Sequence, residues 1–345
     1  MCLTRGFLPA KLGCGGIPGG SAEEGRVAGH PVSPARRLRR RAYWLLTLVF
    51  LGLVRVSPVS WGRCWGRWWG RLALRLRRRE RRLGLDNLAL VFPAVTTADR
   101  EAMLRRSALA LGRNFFDMMA AGRLAGKSGM VREEPCLGEP PETFGQVVRR
   151  LHQRGRGVLI LTGHFGCWEL LGAWIALRLA EEGLGPLGVV TGTIHNPPVD
   201  RLIQGRRRAL GMKVLPREQG ARGLLEHLRG GGVAAVLLDQ NLAGDDPAVP
   251  FCGHPAPTPA GPARMALRLG TPVLPVAVGC DTETGVHLVR RQGVIEPWWN
   301  PGDPGSARPL DEFLAAWNVG LEAFLRRNPA EWVWFHDRWN LRSRV

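Results

Sequence analysis

GVLILTGHFGCWELLGAW, from Gly157 to Trp174, decides how the rest of the chain is read. Val158, Leu159, Ile160 and Leu161 form a short, apolar, β-rich run, the pattern of a strand buried on both faces. Gly163 and Gly166 flank His164 and permit a sharp strand-to-helix turn. His164 is therefore expected at the carboxyl end of a central strand, the edge at which open α/β sheets bind ligands. Glu169 follows about one turn into the next helix, placed to fold back on the imidazole and hold one tautomer. The two side chains have the parts of a general base and its orienting carboxylate. Taken alone, a histidine beside an apolar strand is more often structural, so the reading needs support from elsewhere in the chain.

Outward from this segment, Val189 to Thr193, Val233 to Leu238 and Val273 to Val278 read as further buried strands. Asp99 to Met119, Gly145 to His152, Asp200 to Gly211, Arg222 to Arg229 and Pro262 to Leu269 read as helices, with Asp311 to Arg327 a late helix on the outside. Alternation of this kind predicts an α/β fold with a mostly parallel central sheet flanked by helices. No internal repeat is visible. The expected organisation is a tail at 1–34, interfacial membrane-anchoring helices at 35–82 and the main domain at 83–345.

The chain has 345 residues, enough for a large core, and its 45% hydrophobic and 22% charged composition is that of a globular protein. Its formal net charge is +19. Lysine occurs only at Lys11, Lys127 and Lys213, so nearly all the positive charge is arginine, suited to forked contacts with phosphate. Such a charge fits an anionic membrane, an acidic substrate or nucleic acid. Seven scattered cysteines without paired spacing indicate reduced thiols. Cys167 is expected to be a small buried side chain on the inner face of its helix, not a nucleophile. The dispersed histidines predict no metal site.

Residues 1–34 are rich in glycine, proline and small residues without periodicity. The apolar run Ala42 to Val54 is shorter than the ~20 residues of a spanning helix, and arginines flank it on both sides. On a helical wheel Trp61, Trp65, Trp68, Leu72 and Leu76 cluster, while Arg63, Arg67, Arg71 and Arg78 fall largely opposite. That is the composition of a helix lying in the headgroup region, and the expectation is a monotopic protein on the cytoplasmic leaflet of a membrane.

Five blocks in order carry a resemblance: NLALVFP (Asn87 to Pro93), TGHFGCWELLG with His164 and Glu169, LLDQN (Leu237 to Asn241), VPFCGHPAPTPAGPARMALRLGTPVLPVAV (Val249 to Val278) and WVWFHDRWNLR (Trp332 to Arg342). Together they resemble the bacterial lipid A biosynthesis lauroyl/myristoyl acyltransferase family, within the wider glycerolipid acyltransferase superfamily, over roughly residues 36 to 342. The resemblance implies catalytic His164 and Glu169, a site role for Asp239 and Gln240 at the end of their strand, and Asn196 and Arg264 as further substrate-binding positions. On local grounds alone Asp239 is as readily a turn cap, Asn196 a turn initiator and Arg264 a surface side chain. Without the match, Trp332, Trp334, His336, Arg338 and Trp339 would read as a solvent-facing amphipathic end. One departure stands out. Relatives usually carry an arginine shortly before the asparagine of the Asn-Pro block, whereas Gly192, Thr193, Ile194 and His195 precede Asn196 here. Arg201 and Arg206 to Arg208 are the nearby cations that remain.

The implied reaction is O-acylation of a lipid A precursor or similar phosphorylated glycolipid, with acyl carrier protein or coenzyme A thioester as co-substrate and no cofactor. Gly-X-Ser-X-Gly is absent, so direct attack by an acceptor hydroxyl is favoured over an acyl-enzyme. Other lipid acceptors, a lysophospholipid or a phosphatidylinositol mannoside, are the nearest alternatives. A nucleic-acid or anionic-surface binding protein is the alternative of another class. It finds no zinc finger, RNA-recognition motif or basic zipper in the chain, so no nucleic-acid partner is expected.

Overall fold

The computed structural model describes residues 57–341 apart from 137–140, 193–195, 217–220 and 243–245, together with a few positions between 45 and 56. The expected tail at 1–34, the basic run Arg36 to Arg41, most of the apolar run Ala42 to Val54, and Thr193, Ile194 and His195 lie outside the described residues.

Four helices lead in: α1 (Val59–Leu76), α2 (Arg78–Val91), α3 (Thr97–Met119) and the short α4 (Ala121–Ala125). The Thr96 hydroxyl accepts from the Asp99 backbone N–H and starts α3 at Thr97, where the sequence places a Thr96/Thr97 start. Next come β1 (Val131–Glu133), α5 (Phe144–His152), β2 (Val158–Thr162), α6 (Trp168–Glu181), β3 (Leu187–Thr191), α7 (Pro197–Ala209), β4 (Met212–Pro216), α8 (Arg222–Arg229) and β5 (Val233–Leu237). The hairpin β6 (Ala248–Phe251) and β7 (His254–Pro257) precedes α9 (Gly261–Leu269), β8 (Val273–Cys280), β9 (His287–Arg291) and α10 (Leu310–Arg327).

Seven strands form one sheet in the order β1-β9-β8-β2-β5-β3-β4, parallel at every pairing except β8 with β9. The fold is thus the α/β class with a mostly parallel sheet. Every residue of β2 is buried, and its side chains alternate between two cores. Leu159 and Leu161 join the layer made by α9, α10 and the chain end, whereas Val158 and Ile160 face α5 and α6. Helix α10 packs on the outside of the sheet by one face: Phe313, Leu314, Trp317, Leu321 and Leu325 are fully buried, while Val319, Arg326 and Arg327 are exposed. Strands β1, β4, β6, β7 and β9 were not expected from the sequence. Each carries a charged residue, a histidine or a proline within its three to five residues, which breaks the continuous apolar run that marks β2 and β5.

Helix α1 departs from its helical-wheel reading in one respect. Its buried residues are Gly62, Gly66 and Gly70, which press on α3 so closely that a Cβ at Gly66 would lie 2.4 Å from the Gly112 carbonyl oxygen and one at Gly70 2.1 Å from that of Ala108. The tryptophans face away: Trp61, Trp65, Trp68 and Trp69 are each at least half exposed. Arg63 does not stay on the solvent side with the other arginines. Its guanidinium turns inward to the Asp117 carboxylate at 2.9 and 3.1 Å, the Gly285 carbonyl at 2.8 Å and the ring of buried His287 at 3.0 Å. Among the described residues no helix is long and apolar enough to cross a membrane.

Candidate active site

Two neighbouring parallel strands build the site. Thr162 of β2 stands opposite Leu237 of β5, and the Leu238 N–H continues the ladder to the Thr162 carbonyl at 3.2 Å. Two residues beyond that last pair, on each strand, come His164 and Asp239. The register of the sheet therefore delivers them side by side. Asp239 Oδ1 lies 2.8 Å from His164 Nδ1, and Oδ2 accepts the His164 backbone N–H at 2.7 Å. Gly163 allows this approach, since a Cβ there would sit 2.8 Å from the Asp239 carboxyl carbon. Gly166, at φ +51°, completes the turn where a Cβ would meet the Val278 carbonyl oxygen at 2.2 Å.

Asp239 is fully buried. Burial raises a carboxyl pKa, but the charge and hydrogen bond of the His164 ring, with the charge of His336 and the His164 backbone N–H, reverse this and hold Asp239 well below the usual carboxylate range. An ionised Asp239 only accepts, so Nδ1 of His164 carries the proton and Nε2 the lone pair. The His164 side chain is 23% exposed, and the edge of Trp168 packs on it at 4.9 Å between ring centres.

Glu169 does not hold the imidazole. Its carboxylate is forked by Arg207 of α7, through Nε at 3.0 Å and through Nη2, while Arg207 Nη1 donates to Gln204 at 3.2 Å. The expected partnership of His164 with Glu169 is replaced by two pairs, His164 with Asp239 and Glu169 with Arg207. The reason is geometric. A side chain in the first turn of α6 is held by a helix covering the same sheet edge, whereas the strand pairing has already filled the Nδ1 side of the ring. Arg207 is one of the cations that the sequence left as candidates around the missing arginine.

The other expected site residues are not gathered on the imidazole. Gln240 is partly buried just after Asp239, Asn196 flanks the start of α7 with its side-chain oxygen buried and unbonded among the described residues, and Arg264 is exposed on α9. Cys167 precedes α6, fully buried, with its thiol donating to the Asn114 carbonyl; burial raises its pKa well above the usual value, so it stays a thiol. No three of the described His, Cys, Asp and Glu side chains converge as metal ligands would.

What sequence reasoning missed is the chain end. Far from facing solvent, Trp332, Trp334, Arg338 and Trp339 are at most 1% exposed. The Trp332 indole N–H donates to Asp239 Oδ2 at 2.8 Å, and the Asn87 amide holds the Trp334 and His336 carbonyls at 2.8 Å each. Arg113 forks buried Glu331 at 2.7 and 2.9 Å, and Arg338 donates to the Pro257 carbonyl and to Thr258. The NLALVFP block and the terminal tryptophans, far apart in sequence, are thus two halves of one lock around Asp239. The tail block marked the region but could not name its partners.

His336 makes that lock sensitive to acid. Its ring lies between the Val333 carbonyl at 2.8 Å and the Asp239 carbonyl at 3.0 Å, of which a neutral ring can donate to only one, and burial pushes its pKa down to about 4 although the Asp239 charge and carbonyl pull the other way. The unfolded chain regains the ordinary value of 6.5 and takes up a proton that the folded chain refuses. Stability is therefore unaffected above pH 6.5 and falls as pH drops from 6.5 to about 4, by up to about 3 kcal/mol. Urea midpoints followed over this range should show the loss in the natural protein and a flatter curve in His336→Gln; parallel curves would count against it.

A strand-end imidazole with its tautomer set by a buried carboxylate is equipped to take a proton from a hydroxyl. The family described as bacterial lipid A biosynthesis acyltransferase matches residues 32–341. The chain belongs to this family. The lipid A biosynthesis acyltransferase of Haemophilus influenzae is 24% identical over 74% of this chain and 74% of its own length. The phosphatidylinositol mannoside acyltransferases of Mycolicibacterium smegmatis and Mycobacterium tuberculosis are each 29% identical over 35% of this chain, which spans only 40% and 38% of their respective lengths.

Proposed function

We propose that this protein is an acyltransferase that moves a fatty acyl group from a carrier-protein or coenzyme A thioester to a hydroxyl of a lipid A precursor or related phosphorylated glycolipid, on the cytoplasmic face of the inner membrane. The observation that carries the chemistry is the bond between His164 Nδ1 and Asp239, which leaves Nε2 as the base. Nε2 takes the proton of the acceptor hydroxyl as its oxygen attacks the thioester carbonyl. The carbon–sulfur bond breaks, the sulfur leaves as a thiolate, and the imidazolium, stabilised by Asp239, gives it the proton to form the thiol. Glu169 and Arg207 pin the start of α6 to α7 beside the base, so that Glu169 acts as a positioning residue. Asn196, Gln240 and Arg264 remain the substrate-binding candidates.

A phosphatidylinositol mannoside acceptor is the second reading, favoured by the mycobacterial relatives and by the absence of an arginine ahead of Asn196. Mass spectrometry after incubation with acyl carrier thioesters and a panel of lipid A precursors, lysophospholipids and mannosylated phosphatidylinositols decides between them. Acyl mass added to the first acceptor alone supports the leading reading, addition to the mannoside alone replaces it, and His164→Ala should add none.

The α1 surface suits a membrane whose lipids are anionic. Exposed Trp61, Trp65, Trp68 and Trp69 adjoin exposed Arg67, Arg71, Arg75 and Arg78, an aromatic face for the interface with cations for the headgroups. Replacing the four tryptophans by alanine should weaken binding to anionic vesicles by about 100-fold and leave thermal stability unchanged, because none of them is buried in the fold. Unaltered vesicle flotation would remove α1 from the membrane contact.

A further inference from the structure

Three tryptophans of the chain end are fully buried, yet their indole N–H groups have different destinations. Trp334 donates to the Pro329 carbonyl and Trp339 to that of Phe251, both bonds of the tail and its packing. Trp332 alone of these three donates to the carboxylate behind the base. The two oxygens of Asp239 are thereby divided, Oδ2 taking the His164 backbone N–H and the Trp332 indole while Oδ1 is left for the imidazole. With two donors on one oxygen, the carboxylate cannot turn about its Cβ–Cγ bond without abandoning them.

Trp332 is itself held from several directions. Ser107 donates to its carbonyl at 2.7 Å, its backbone bridges to Phe165, and Trp334, His336, Phe251 and Trp339 surround its ring at 4.7 to 6.0 Å. The adjoining Glu331 carries the buried Arg113 pair and accepts the Gly166 N–H through its carbonyl. A rigid donor is therefore aimed at the one carboxylate that sets the tautomer of His164.

We infer that Trp332 is a positioning residue for acyl transfer: its indole N–H fixes the rotation of the Asp239 carboxylate and tempers its charge, and so sets the direction and basicity of His164. This rests on the reading of His164 as the base. The charged or titratable groups facing Asp239 are His164 from the end of β2 and His336 and Arg338 from the chain end. None of them replaces an indole lost from Oδ2, since His336 bonds the Asp239 main chain and Arg338 bonds Pro257 and Thr258.

The test replaces Trp332 by 3-benzothienylalanine, which keeps the ring shape and removes only the N–H, alongside Trp332→Phe and the packing control Trp334→Phe. In the two Trp332 variants kcat should fall about tenfold with KM nearly unchanged, the cost expected for one hydrogen bond to a buried charge. The acid limb of kcat/KM should move to higher pH, because a less tempered carboxylate favours the imidazolium. The Nδ1 proton resonance of His164, observed without substrate, should shift in the Trp332 variants and not in Trp334→Phe. Unchanged rates and resonance in the benzothienyl protein, or equal effects from Trp334→Phe, would overturn the inference. A fully active His164→Ala would instead remove the base assignment, while the resonance still reports whether Trp332 holds the carboxylate.

Discussion

Asp239→Asn is expected to lower kcat by about a thousandfold or more while the protein stays folded. Two N–H donors converge on Oδ2, the His164 backbone and the Trp332 indole, so the amide oxygen of an asparagine must occupy that place. Its NH2 group then faces His164 Nδ1, where Oδ1 stood. Nδ1 must become the acceptor, the ring proton moves to Nε2, and the base is gone. Loss of the negative charge removes stabilisation of the imidazolium as well. Glu169→Gln should behave differently. It weakens the fork with Arg207, yet it leaves Asp239 in place, so the Nδ1 proton of His164 persists and the loss of turnover is smaller. Histidine nitrogen NMR, read beside steady-state rates, separates the two. An Asp239→Asn protein that keeps both its Nδ1 proton and its activity would show that the carboxylate does not set the tautomer.

Gly66→Leu should destabilise the protein by at least about 3 kcal/mol, or detach α1 altogether. A Cβ at 66 lies 2.4 Å from the Gly112 carbonyl oxygen, and one at 112 would lie 2.0 Å from that of Gly66, so backbone faces backbone with no flexible side chain to yield. At Gly62 the obstacle is the Phe116 ring, which can turn. Parting the helices at Gly66 also pulls Arg63 from Asp117, whose carboxylate is wholly buried and whose pKa is held low, against burial, by His287 and Arg63. Leaving that charge short of a partner adds to the steric cost. Urea denaturation gives the magnitude, and proteolysis within 57–78 reveals a detached helix. A Gly66→Leu protein as stable and protease-resistant as the natural one would refute the seam.

The two variants differ in how far the underlying features were readable beforehand. The strand that delivers His164 was plain, because four consecutive β-rich apolar residues ended by glycine have few other uses in a globular chain. Strands β5 and β8 and helices α3, α8 and α9 were legible for similar local reasons. The tryptophan face of α1 was visible on a helical wheel, but the three glycines among and just after the tryptophans carry no hydropathy signal. Only the packed helices show that Gly62, Gly66 and Gly70 form the inner face and that Arg63 is drawn into it. Likewise WVWFHDRWNLR looks amphipathic in isolation and becomes core because Asn87, Ser107 and Arg113 satisfy its polar groups and those of Glu331 beside it.

Local order therefore settled the class of fold, the place of His164 at a strand end and the family to which the chain belongs, since each depends on patterns a few residues long. The partner of His164 was decided by tertiary structure alone. Glu169 is five residues from His164 and Asp239 is 75, yet the register of two parallel strands brings the distant carboxylate to 2.8 Å, and a helix arginine takes the near one. Sequence distance measures the length of chain between two groups; which of them touch is set by how the strands pair and what the chain end packs against.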